Sequence, residues 1–266
     1  IRTIFLRYTE LIEPLSLDEA YLDVTDSPMC FGSATLIAEK IRQDIFNELN
    51  LTASAGIAPN KFLAKIASDE NKPNGQCVIT PEQVSVFVAN LPLKKIPGIG
   101  PKTNEKLKAF GFETCADVRA SSVAKLQLIV GKFADALYQR CFGIDHRALE
   151  TKRLRKSLAI ETTMAEDVDS IEQCQAILLS LFNKLKLRLE KHNDREINKQ
   201  TVKIKFADFQ QTTVDIQSHA CHEEVFIALL TKAMTRANNR KVRLIGLSLG
   251  FSEQDKADKQ SQLALF

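Results

Sequence analysis

The stretch Ser16-Leu17-Asp18-Glu19-Ala20-Tyr21-Leu22-Asp23-Val24 constrains the fold more than any other part of the chain. Leu15 and Leu17 alternate with polar neighbours, and Ala20, Leu22 and Val24 alternate again, but the apolar positions are odd before Asp18-Glu19 and even after it. Side chains on a strand alternate faces with a period of two, so this change of parity calls for a tight bend or bulge at the two carboxylates. Strands within 12–17 and 20–24 are therefore expected to form a hairpin. On a flat strand the two carboxylates would point apart; at a bend both can approach one hard cation. Mg²⁺ takes one or two carboxylates and completes its shell with water and substrate phosphate oxygens. An acidic pair at a strand bend thus matches metal-assisted phosphoryl chemistry. The spacing alone also allows a solvated turn.

The 266 residues suffice for two or three domains, and 44% hydrophobic with 26% charged residues is ordinary for a chain that buries real cores. No apolar run is long enough for a membrane span and no secretory signal pattern is present, so a cytoplasmic location is expected. A net charge of +3 permits nucleic-acid binding without arguing for it. Cys30, Cys77, Cys115, Cys141, Cys174 and Cys221 are scattered, with no Cys-x-x-Cys pair; zinc is not expected, and the thiols fit a reducing compartment. The chain begins at Ile1, and residues 1–9 read as the last turns of a helix without a cap, which leads us to expect further residues upstream.

Residues 1–80 alternate strands and helices. Ala34, Ile37, Ala38, Ile41, Ile45 and Leu49 make one helical stripe. Residues 51–57 read as a small apolar strand, and Pro59 suits the first turn of the next helix, whose buried face is Phe62, Leu63, Ile66 and Ala67. That helix stops at Asn71-Lys72-Pro73-Asn74-Gly75, and a short strand follows at 77–79. The pattern implies an antiparallel sheet in an α+β layer. A lysine at an ordered helix stop is a point charge suited to a triphosphate, and Lys72 occupies that place.

Residues 81–143 read as all-helical. Leu93-Lys94-Lys95-Ile96-Pro97-Gly98-Ile99-Gly100-Pro101-Lys102 looks like a helix-hairpin-helix, in which Gly98 and Gly100 let backbone N–H groups come close to a phosphate. A weaker hairpin is expected around Gly131-Lys132-Phe133. Residues 144–156 form a basic linker. Residues 157–252 read strand-helix-strand-strand-helix-strand, two helices covering one face of a four-stranded antiparallel sheet. The open face then carries Lys203, Lys205 and Arg243, with a bulge expected at Gly246. The tail, 253–266, is polar until Gln262-Leu263-Ala264-Leu265-Phe266, whose apolar anchors call for a pocket elsewhere, although a tail folding back on its own domain is also allowed.

Ser16 to Thr25, Ser68 to Gly75, Leu93 to Lys102, Arg155-Lys156-Ser157 and Phe206 to Thr213 resemble, in order, motifs of the Y-family translesion DNA polymerases, most closely the bacterial DinB branch. The resemblance implies an α+β chain: a partial polymerase palm with antiparallel sheet (1–80), an all-helical thumb with helix-hairpin-helix (81–143), the linker, a βαββαβ little finger (157–252) and a sliding-clamp peptide in the tail. It implies error-prone, template-directed nucleotidyl transfer in DNA damage bypass, with two Mg²⁺ in the complete enzyme. Asp18 and Glu19 would be the metal-binding and catalytic carboxylates, and Lys72 would contact the incoming nucleotide. DNA would meet Lys95, Gly98, Gly100, Lys102, Arg155, Ser157, Lys203, Lys205 and Arg243. Gln262, Leu263, Leu265 and Phe266 would meet the clamp, the β subunit of the replicative polymerase. Primer-template DNA, deoxynucleoside triphosphates and that clamp are the expected partners of a monomer. The family's first acidic motif and its sugar-discriminating aromatic would precede Ile1, so these residues alone are expected to be inactive. The alternative is a non-catalytic DNA- and clamp-binding piece. An unrelated helix-hairpin-helix repair protein would explain the hairpin but not Lys72's surroundings or the tail.

Overall fold

The computed structural model describes residues 1–252. The chain divides into two compact units, one spanning Ile1–Arg153 and a second beginning at Leu154.

The first unit opens with α1 (Arg2–Phe5), followed by the hairpin β1 (Ile12–Pro14) and β2 (Ala20–Leu22). The pairing is antiparallel, Ile12 opposite Leu22 and Pro14 opposite Ala20. The bend falls where the parity change put it, but the strands are shorter than expected. Leu15 and Ser16 N–H both donate to the Glu19 carbonyl, at 2.9 and 3.2 Å, and close the turn. Leu17 is consequently fully exposed at its tip, not on a buried strand face. The apparent alternation of Leu15 and Leu17 was turn sequence, and Ile12 alone anchors the hairpin deeply.

Next comes α2 (Ala34–Leu49), capped by the Ser33 hydroxyl and ended by Asn50 in the left-handed region. Ile37, Ile41 and Ile45 pack with Ile4 and Tyr8 into one small core. The segment β3 (Ala55–Ile57), α3 (Lys61–Glu70), β4 (Gln76–Val78) is a crossover, so β3 and β4 pair in parallel rather than extending an antiparallel sheet. A helix between two strands carries the chain back to the starting edge, which forces that direction. The N-cap of α3 is Asn60, whose side chain accepts the Leu63 N–H at 3.0 Å, so Pro59 stands outside the helix and not in its first turn.

Five helices follow: α4 (Val84–Ala89), α5 (Pro101–Ala109), α6 (Cys115–Arg119), α7 (Val123–Val130) and α8 (Ala134–Cys141). Their core runs on from α3 without a break: Phe62, Leu63 and Ile66 share it with Ile96, Leu107, Leu126 and Leu137. No gap in packing marks residue 80. The beginning of the expected linker is also docked on this unit. Asn60 Nδ2 donates to the Gly143 carbonyl at 2.8 Å, and the Phe62 N–H donates to Asp145 at 3.1 Å.

The second unit is the expected strand-helix-strand-strand-helix-strand: β5 (Ser157–Val168), α9 (Ile171–Leu189), β6 (Ile197–Phe206), β7 (Gln211–Gln217), α10 (Glu223–Met234) and β8 (Val242–Phe251). The sheet order is β5-β8-β6-β7, antiparallel throughout. Both helices cover one face, burying Cys174, Leu178, Phe226 and Leu230 against Val202, Ile204, Leu247 and Leu249. Buried Gln200 is satisfied: it donates to the His222 carbonyl and accepts from the His222 N–H and the Ser218 hydroxyl. The register runs unbroken through Gly246, opposite Lys203 and Glu161, so the expected bulge is not there. It lies instead between the Lys205–Leu244 and Phe206–Val242 pairs, at Arg243. Leu244 is therefore on the open face beside Lys205. Among the described residues, no helix is long and apolar enough to cross a membrane.

Gly56 shows how tightly α3 is seated. A Cβ there would lie 2.0 Å from the Ala64 carbonyl oxygen and 2.4 Å from the Ser68 nitrogen, both backbone atoms. Gly56→Ala is expected to destabilise the first unit by roughly 3 kcal/mol, the upper range for overpacking. An unchanged denaturation midpoint in urea would contradict this seating.

Candidate active site and nucleic-acid interface

The hairpin turn and α3 build one polar cluster. Asp18 is exposed and accepts from the Ser16 hydroxyl at 2.5 Å. That hydrogen bond, followed by the Asp18 backbone N–H, holds its carboxyl below the usual carboxylate range, with Lys72 and Lys65 adding to the effect. Glu19 accepts from Lys65 Nζ at 2.7 Å; Lys65 lies 3.3 Å from Asp69, and Asp69 lies 2.6 Å from Lys72. The result is an alternating chain of charges, Glu19–Lys65–Asp69–Lys72. Burial pulls the Lys65 ammonium down, but the Glu19 hydrogen bond and Asp69 outweigh it and leave it raised. Burial likewise pushes Asp69 up, and Lys72 and Lys65 outweigh that and hold it low.

Asp18, Glu19 and Lys72 were legible as separate motifs, and the structure brings them into this one cluster. Lys65 and Asp69, which join them, were missed. Their signal was present in the spacing: Lys65 and Asp69 stand four residues apart on α3, and Lys72 follows three further on, past the helix end. Lys61 was missed too. Only 7% exposed, it lies one turn before Lys65 and donates to Glu13 at 2.7 Å and to the Ala148 carbonyl at 2.8 Å. Burial pushes the Glu13 carboxyl up, but Lys61 and the Glu150 N–H outweigh it and hold it low.

In the helical part, Lys95 pairs with Glu70 at 2.7 Å, tying the hairpin region to the end of α3. Gly98 sits at φ +99°, a conformation that favours glycine, and a Cβ there would lie a tight 3.2 Å from the Phe133 ring. Gly100 is the N-cap of α5 and faces open space, leaving the first N–H groups of that helix approachable. Lys102, Thr103 and Lys106 line a cleft of about 510 Å³ with Gly98, Gly131 and Phe133. The weaker hairpin at Gly131 thus faces the first across this cleft.

In the second unit, exposed Arg155 precedes β5, and Ser157 opens it, paired with Gly250. The open face does carry Lys203, Lys205 and Arg243, but two of them are already paired. Lys203 Nζ reaches across side-chain-free Gly246 to Glu161 at 2.9 Å, and Arg243 lies 3.4 Å from Asp167. Lys205 and Arg243 both lie against the ring of Phe209, at 4.8 and 5.0 Å from its centroid. Phe209, inside the Phe206 to Thr213 motif, was not singled out by the sequence. Gln262, Leu263, Leu265 and Phe266 lie outside the described residues.

Comparison with known proteins gives the same picture over the whole chain. The impB/mucB/samB family model matches residues 1–69 and the model of that family's C-terminal domain residues 155–265. The thumb-domain model of DNA polymerase iota matches residues 94–145. DNA polymerase IV of Colwellia psychrerythraea is 64% identical over 265 residues, covering 100% of this chain and 75% of that relative. DNA polymerase IV of Shewanella denitrificans is 55% identical over 254 residues, covering 95% of this chain and 71% of that relative. Among solved structures, a Y-family DNA polymerase chimera built on Dbh superposes with a TM-score of 0.84 at 28% identity, covering 94% of this chain and 73% of the other. An insertion ternary complex of Dbh DNA polymerase matches with a TM-score of 0.61 at 27% identity over 94% of this chain and 73% of the other.

Proposed function

The chain belongs to the Y-family DNA polymerases, the impB/mucB/samB family, and from that membership we propose that it serves template-directed nucleotidyl transfer across damaged DNA, in the manner of DNA polymerase IV. The observation that carries the reading is the cluster itself: two adjacent carboxylates at a hairpin turn, joined through Lys65 and Asp69 to Lys72.

Asp18 and Glu19 fit a divalent metal. They are hard oxygen donors on one turn, one of them already facing a cation, and such a pair is what Mg²⁺ shares with water and phosphate oxygens. When bound, two such ions stabilise the attacking and leaving oxygens of the displacement. The protein's own part is positional. Lys65 fixes the Glu19 carboxylate against α3. Lys72, half-exposed and paired with Asp69, can exchange that partner for the triphosphate of a deoxynucleotide. The cleft between the two hairpins, with Gly98, Gly100 and Lys102, suits duplex phosphates approached through backbone N–H groups. Arg155, Ser157, Lys205 and Arg243 would contact DNA from the second unit, Lys203 contributing less because Glu161 already holds it. The solved ternary complex of Dbh DNA polymerase supports primer-template DNA and a nucleotide as the two partners. By this reading the palm is 1–80, the thumb 81–143 and the little finger 157–252, and residues 262–266 dock the sliding clamp.

One observation favours the second reading, a DNA-binding piece that does not catalyse by itself. Among the described residues, no group of three or more His, Cys, Asp or Glu could hold a metal, so Asp18 and Glu19 have no third carboxylate to bridge two ions. Residues 1–266 are accordingly expected to bind primer-template DNA yet extend it about a hundredfold or more slower than the Colwellia polymerase, as befits loss of a principal electrostatic group. Asp18→Ala and Glu19→Ala should remove residual incorporation and leave DNA affinity within about twofold, since the duplex contacts proposed above come from other residues. Primer extension with Mg²⁺ checks this; extension as fast as the relative's would contradict it. Deleting residues 262–266 should abolish binding to the sliding clamp and spare DNA affinity; equal clamp affinity with and without them would sink the clamp assignment.

A further inference from the structure

Phe209 is a large apolar side chain left 61% exposed. Its backbone has φ +64°, in the left-handed region that a bulky side chain rarely adopts. Such a conformation persists only where its surroundings over-determine it, and it points to a functional constraint. The surroundings here do so. The Phe209 N–H donates to the Phe206 carbonyl at 2.9 Å, and the Phe206 N–H donates to the Gln210 carbonyl at 2.8 Å. The Gln210 N–H donates to Asp208 Oδ1 at 3.1 Å. Arg240, stacked 4.0 Å over the Phe206 ring, donates to Gln210 Oε1 at 2.9 Å and Asp208 Oδ2 at 3.4 Å. The side chains of Phe206, Asp208, Gln210 and Arg240 and the ladder end thus hold one exposed ring in place.

What the ring meets is charge. Lys205 Nζ lies 4.8 Å and Arg243 Cζ 5.0 Å from its centroid. The two cations repel each other, and the negative face of an aromatic ring attracts both. Arg243 has Asp167 as a second partner at 3.4 Å, whereas no described residue pairs with Lys205 through a hydrogen bond or an ion pair. The register break lies at Arg243, the residue from the start of β8 that reaches the same ring as Lys205.

We propose that Phe209 is a positioning residue for DNA: its ring holds Lys205 and Arg243 side by side as a two-cation clamp for duplex phosphates. The ring adds no charge. It raises affinity by fixing two long, flexible side chains beforehand, so less freedom is lost on binding. The proposal rests on the reading of the sheet's open face as a DNA surface.

The test is a fluorescence-anisotropy titration of a mixed-sequence primer-template duplex with the whole chain at several salt concentrations. Phe209→Leu keeps bulk and loses the ring's charge distribution. It should weaken binding about threefold to fivefold, the scale of exposed cation–π contacts, with an unchanged salt slope. Phe209→Tyr should restore wild-type affinity. Replacing Lys205 and Arg243 together by alanine should flatten the log–log slope by roughly 1.8, about 0.9 per phosphate. Should the leucine variant unfold, Phe209→Met against Phe209→Tyr makes the same comparison. Wild-type affinity in the leucine variant, or a tyrosine variant no better than leucine, overturns the role of Phe209. If the double alanine variant flattens the slope while leucine is silent, only Phe209's role falls; if the slope does not move, the DNA-face reading falls with it.

Discussion

Two lysines one helical turn apart hold the first unit's site together. A hairpin of three paired residues per strand is at best marginally stable alone. Here α3 clasps it from outside: Lys61 reaches Glu13 on β1, and Lys65 reaches Glu19 in the turn just before β2. The Lys61–Glu13 pair is nearly dry, so taking both charges out of water offsets much of their attraction. Such a pair contributes orientation more than stability. It fixes the hairpin in one place, because any slip would leave a charge buried and unpartnered. Lys65 then sets where the carboxylate turn stands relative to Lys72, just past the far end of the same helix.

The clasp depends in turn on how α3 sits. Gly56 admits the helix backbone to contact distance of β3, and the opposite face of α3, Phe62, Leu63 and Ile66, is part of the core that carries α5, α7 and α8. A single helix therefore bears the hairpin's ion pairs on one side and the helical part's packing on the other. The same helix end receives Lys95 through Glu70. Parts of the chain that would grip nucleotide and duplex are thus positioned from one element, and a shift of α3 would be felt by all of them.

The helices were legible because their apolar stripes are regular: Ile37, Ile41 and Ile45 on α2, and Cys174, Leu178, Leu181 and Leu185 on α9, are all buried. The little βαββαβ unit was legible for the same reason. What period-two reasoning could not resolve was where a pattern ends. Leu17 alternates correctly and is fully exposed, because closing a turn on the Glu19 carbonyl takes the residues that alternation assigned to a strand. Gly246 looked like a parity change, whereas the irregularity lies at Arg243, where the strand meets the locked turn of Phe209. The candidate site was legible as Asp18, Glu19 and Lys72, each marked by its local motif. Lys65 and Asp69 were not, because a lysine on a helix is ordinarily a solvated one, and only the fold reveals that this helix face looks at the hairpin.

The central claim is that the carboxylate turn, proposed to hold a divalent cation, stands against the end of α3. Paramagnetic broadening of ¹⁵N-labelled protein by Mn²⁺ tests it without requiring turnover. Residues 15–19 and 69–72 should broaden together in a single titration, and Asp18→Ala should abolish both effects. Broadening of one segment without the other, or broadening that survives Asp18→Ala, would contradict the account.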